Sequence, residues 1–138
     1  MSLRLLLKPG FKGLRIGITD HFSVPYDLED YLHNVYALEI AGEGRLADQR
    51  LDFGRWYELR IEWDVLERKA RVFLDGREAT VLPLMRQSEG ICYLRLSSTA
   101  EELDEAGFLI ETVEADVRAS WPERPTRAFE SPEKRRRP

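Results

Sequence analysis

The chain has 138 residues, 43% of them hydrophobic and 33% charged, with a net charge of −4. That length and balance suit one globular domain with a real core, and no apolar run nears the roughly 20 residues of a membrane-spanning helix. The charge is uneven: residues 119–138 carry six Lys/Arg against three Asp/Glu and the remainder 15 against 22, so an acidic body argues against nucleic acid as a partner.

"MSLRLLLKPG" has too short an apolar stretch for a secretory leader, yet "RLLLKPGFKGLRIGI" is strand-like almost from its start. Within it Leu14, Ile16 and Ile18 alternate with polar or small residues, the period-2 signal of a half-buried strand. "SVPYDLEDYL" sets Ser23 and Pro25 ahead of acidic residues and predicts a short helical turn. "NVYALEIAG" and "GRLADQRLDFG" predict a hairpin across Gly42–Gly44. In "WYELRIEW", Tyr57, Leu59, Ile61 and Trp63 share one face, with Glu58, Arg60 and Glu62 on the other. After the polar link "DVLERK", "ARVFLDG" repeats the pattern with Ala70, Val72 and Leu74 inward, and Asp75-Gly76 supplies turn chemistry. "ICYLRLS" alternates Cys92, Leu94 and Leu96 against Ile91, Tyr93 and Arg95, which makes Cys92 a buried packing residue. "STAEELDEAG" reads as one capped turn closed by Gly107. In the late strand "AGFLIETVEADV", Leu109, Val113, Ala115 and Val117 fall on one face. Short strands joined by turns, with only a few short helical turns, predict an all-β antiparallel sandwich over residues 1–118. Residues 119–138, with four prolines and "KRRR", predict an extended basic arm, in which Trp121 and Phe129 would anchor onto the sandwich or a neighbouring copy.

"RIEWDVLERKARVFLDG" contains Glu62, Asp64 and Glu67 in the spacing E-x-D-x-x-E, which resembles the carboxylate set of β-glucanases. The wider segment "GRWYELRIEWDVLERKARVFLDGRE" resembles a strand pair of concanavalin A-like jelly rolls, the group of laminin-G-like, lectin-like and glucanase domains. Trp63, Asp75 and Gly76 fall on that pattern. The resemblance implies a jelly-roll sandwich, and a role as a C-terminal accessory domain of a larger, secreted, sialidase-like or other glycan-processing protein. It also implies that glucanase acids lie on an earlier strand. At that place the chain reads "YALEIAGEG", with Glu39 and Glu43 but Ala41 where the motif has aspartate. A retaining glycosidase holds two carboxyl groups about 5–5.5 Å apart across its groove. Glu62 ends a strand while Asp64 and Glu67 lie in the following turn, so the triplet is read as a solvated turn with no catalytic residue.

Both histidines lie near Asp20, Asp27, Glu29 and Asp30. Metal binding and a polar loop capping a short helix are the two readings, and the second is preferred because no zinc spacing such as H-E-x-x-H occurs. No cofactor is expected. There is no G-x-S-x-G elbow and no phosphate loop. The alternation turns Arg60, Arg71, Phe73, Tyr93 and Arg95 outward. Outward rings and guanidinium groups on one sheet would stack on and hydrogen-bond a carbohydrate; alternatively the same face is covered by a neighbouring domain, the arm or a homodimer partner. The expected function is a non-catalytic accessory or carbohydrate-binding module. The alternatives are a structural or oligomerisation domain without ligand, and a glycoside hydrolase using Glu39 and Glu43.

Overall fold

The alternating segments all become strands. The computed structural model describes residues 1–22 and 30–118. β1 (Ser2–Leu7), β6 (Trp56–Asp64), β7 (Lys69–Leu74), β8 (Arg77–Pro83) and β10 (Phe108–Glu114) form one sheet in the order β10-β1-β6-β7-β8. β2 (Gly13–Thr19), β3 (Asn34–Ala41) and β9 (Tyr93–Ser97) form a second, in the order β3-β2-β9. Every strand pair is antiparallel. A 3₁₀ turn, Asp30–His33, leads into β3. No helix among the described residues is long and apolar enough to cross a membrane.

The two inner faces meet in one core. The large sheet contributes Leu3, Leu5, Tyr57, Leu59, Ile61, Ala70, Val72 and Leu74; the small sheet contributes Leu14, Ile16, Ile18, Tyr36, Leu38 and Ile40. This is the all-β antiparallel sandwich that the alternation implies. Tyr36 is fully buried, and its hydroxyl donates to the Asp64 carbonyl at 3.0 Å, tying the small sheet to the end of β6. Burial pushes the Tyr36 phenol up, helped by the charge of Asp64. The loop Asp75-Gly76 between β7 and β8 has φ of 48° and 80°. Those positive angles suit the two-residue turn whose twist matches its flanking strands.

Four expectations need correction. "GRLADQRLDFG" does not pair with β3; it folds on itself as β4 (Arg45–Leu46) and β5 (Gln49–Arg50), while β3 pairs with β2. Buried Leu46 and Leu51 hold that small hairpin to the core. In β10 a bulge at Thr112, with φ of 57°, breaks the alternation. Phe108 and Ile110 lie opposite inward Leu7 and Leu5 and pack on the core, Leu109 lies opposite Leu6 and faces out, and Val113 and Val117, beyond the bulge, are exposed. Cys92 is exposed, because it precedes the first residue of β9. Trp63 is only half-buried at the end of β6, beside Met1 and Val117. The helical turn predicted from Ser23 and Pro25, and the anchors Trp121 and Phe129, lie outside the described residues.

The burial order makes a measurable statement. Leu59→Ala should cost about 3 kcal/mol in urea unfolding, through lost burial and a cavity at the centre of the sheet. Trp63→Ala should cost distinctly less, since its site opens to water. Equal losses would mean that the core is centred elsewhere.

Candidate functional site

The five outward residues do not converge. Arg60, Arg71 and Phe73 lie on the outer face of the large sheet, whereas Tyr93 and Arg95 lie on β9, on the outer face of the small one. Phe73 is only 9% exposed. The guanidinium of Arg60 lies 4.2 Å from its ring centroid and that of Arg71 lies 5.0 Å away. Cations over a ring face are held by its quadrupole, and here they roof the ring. Each arginine is also engaged by a carboxylate, Arg60 by Glu62 and Arg71 by Glu78. Arg4 repeats the scheme, over Trp56 and paired to Glu111. This face is covered by its own side chains and offers no bare ring to a ligand.

The small sheet differs. Arg15, Arg95 and Tyr93 take the outward positions around Gly17, since Gly17 pairs with Arg95, and Thr19 with Tyr93. Tyr93 is 44% exposed and lies 5.8 Å, centroid to centroid, from the ring of Phe22, which is 69% exposed. Tyr31, on the 3₁₀ turn, is exposed beneath the guanidinium of Arg15, which also pairs with Glu39. Gly17 is required here: a Cβ would collide with the Asn34 side chain. Asn34 is buried, and its Oδ1 has no hydrogen-bond partner. Phe22 and Tyr31 were missed from sequence because they lie off the strands, where alternation carries no signal.

Beside this face, a polar cluster closes the end of β2. Arg86 and Ser88 both donate to the Asp20 carboxylate, and Arg86 donates also to the His33 carbonyl. Thr19 Oγ1 donates to that carbonyl as well and accepts from the His21 amide. The His21 and His33 rings stack at 4.0 Å. Among the described residues no three His, Cys, Asp or Glu side chains gather as a metal cluster; Asp27 and Glu29 lie outside those residues. Burial works to raise the Asp20 carboxyl, but hydrogen bonds from Ser88 and Arg86, with the charge of Arg86, outweigh it and hold the group below its ordinary range.

The remaining carboxylates are held in separate places. Asp64 accepts the amides of Leu66 and Glu67 and so caps its own turn, and Glu67 pairs with Lys69. Glu39 lies on the outer face of β3 against Arg15, while Glu43 lies in the turn after it against Arg45. The hydrogen bond from Arg45 holds the Glu43 carboxyl below its usual range. A general acid for glycoside cleavage needs the opposite shift. Two shallow surface depressions are lined elsewhere, one by Lys12, Glu102 and Leu103, the other by Met1, Glu62 and Trp63.

No protein-family model matches the chain, and no curated protein matches it. Among solved structures it is similar to a sialidase, with a TM-score of 0.56 and 16% identity. The likeness covers 87% of this chain, and the chain spans only 11% of the length of that sialidase. At that identity the likeness is one of fold.

The Asp20 cluster sets a pH test. A carboxyl lowered from 3.8 contributes stability that is fully present above that value and is lost as pH falls through the lowered one. Asp20→Asn should therefore lower the melting temperature at neutral pH, and the gap to the parent should close as pH drops below 3.8. A gap that stays constant down to acid pH would mean that the ion pair contributes nothing.

Proposed function

We propose that this chain is a non-catalytic accessory β-sandwich of the concanavalin A-like type that binds carbohydrate, and that it belongs to a larger glycan-processing protein. The observation that carries the reading is the exposed ring pair of Phe22 and Tyr93, on the same face as Arg95 and Arg15. Sugar rings present C–H faces and hydroxyl edges, so a bare aromatic pair flanked by strong donors matches both. The fold likeness to a small part of a long chain named sialidase supports an accessory role. The opposite face, with Phe73 roofed by Arg60 and Arg71, is assigned to stability. The hydrolase alternative loses support because Glu39 and Glu43 are held apart by separate partners, Arg15 and Arg45, and the hydrogen bond from Arg45 keeps the Glu43 carboxyl below its usual range.

A glycan array followed by calorimetry tests this. The parent chain should retain at least one class of glycan, and Tyr93→Ala should lower that affinity at least tenfold without changing the melting temperature by more than a few degrees. Phe73→Ala should do the reverse, lowering stability and leaving binding intact. Equal binding by the parent and Tyr93→Ala would remove the assignment of the site, and a blank array would remove the carbohydrate reading.

A further inference from the structure

The two main sheets have four outer edges, and three are blunted. β10 carries the Thr112 bulge together with Glu111 and Glu114. β8 carries a bulge opposite Val72/Phe73 and ends in Pro83, which has no amide hydrogen to offer. β3 is bulged opposite Ile18/Thr19, and the Met85 amide donates to its Val35 carbonyl. Bulges, prolines and edge charges are the usual means of preventing strands from joining end on end. β9 has none of the first two. Its five residues run in unbroken register against β2, and its one charge is Arg95.

The hydrogen-bond phase of that edge follows from β2. The Thr99 amide donates to the Gly13 carbonyl. Antiparallel ladders alternate between bonded and unbonded pairs, so Thr99, Ser97, Arg95 and Tyr93 bond toward β2. The amides and carbonyls of Leu94, Leu96 and Ser98 then face away from it. Leu94 and Leu96 are only half-buried against the core, so the same edge leaves apolar surface uncovered.

We propose that the edge of β9, which pairs with no other strand among the described residues, pairs antiparallel with β9 of a second copy of this chain, across a two-fold axis at Leu96. The phase permits an axis at any residue from Tyr93 to Ser97. Axes at Tyr93 and Leu94 would need the Cys92 amide, which already donates to the Thr19 carbonyl of β2. Centring on Arg95 would set the guanidinium groups of the two copies against each other. Centring on Ser97 would push the leucines off the axis. Centring on Leu96 sets Leu96 against Leu96, Leu94 against Ser98, and Arg95 against Ser97. It makes three bonded pairs, places no like charges directly opposite, and continues both the apolar inner face and the ladder. The three-stranded sheet becomes six-stranded, and the Tyr93 faces of the two copies lie on one side of it.

Sedimentation of the full chain tests this, together with Ser98→Pro, Ser98→Ala and Leu96→Cys. The parent should sediment at twice the 16.1 kDa of the monomer. Ser98→Pro removes an amide hydrogen that β2 does not use and should halve the mass with little change in melting temperature, while Ser98→Ala stays dimeric. In a Cys92→Ser background, Leu96→Cys should form a disulfide-linked dimer on mild oxidation, because bonded partners lie about 5.5 Å apart between Cα atoms. A parent that is monomeric across the concentration series overturns the proposal, as does a Ser98→Pro dimer, which would place the contact on another surface.

Discussion

The inner face of β6 is the constraint on which the rest depends. Tyr57, Leu59 and Ile61 sit at the middle of the five-stranded sheet, between β1 and β7, and all are buried. A slip of one residue would turn all three to water and bring Glu58, Arg60 and Glu62 into the core. The register is fastened at both ends. Asp75 accepts the Glu58 amide through its carboxylate and donates its own amide to the Glu58 carbonyl. At the other end the Asp64 carbonyl receives the Tyr36 hydroxyl from the opposite sheet. The Tyr57 hydroxyl accepts the Asp52 amide, so even a core ring finds a polar partner at its tip.

Once that face points inward, the outer faces follow by alternation, but their chemistry does not. On the large sheet each outward ring has an arginine over it and each such arginine has a carboxylate: Trp56 with Arg4 and Glu111, Phe73 with Arg60, Arg71 and their acids. The register sets Arg60 directly opposite Phe73 and Glu62 opposite Arg71, which is why the rings are roofed rather than bare. Exposed ion pairs of this kind contribute little individually; their effect here is to hold the guanidinium groups in place over apolar surface.

This divides what could be read from the chain from what could not. The β6–β7 strand pair, the Asp75-Gly76 turn and the alternation of β2 were legible, because each is a local pattern. Sheet membership was not, because it depends on pairings between distant segments, and so Tyr93 and Arg95 were grouped with Arg60, Arg71 and Phe73 across two sheets. "REATVLP" showed no strand signal, since the bulge that makes Ala79 the extra residue breaks its alternation. Phe22 and Tyr31 gave no signal at all, because position in a loop or a 3₁₀ turn says nothing about which face a ring will border.

The pairing of the first and last described strands has a mechanical meaning. Ser2 lies opposite Glu114 in the β1–β10 ladder, so the two ends of the sandwich stand side by side. A force applied between them acts across the strands, and it breaks the ladder one bond after another rather than all together in shear. Such a domain yields to tension at its outermost strand first. Polypeptide attached at both points would leave from neighbouring positions, so a domain of this build adds almost nothing to the length of a load-bearing path.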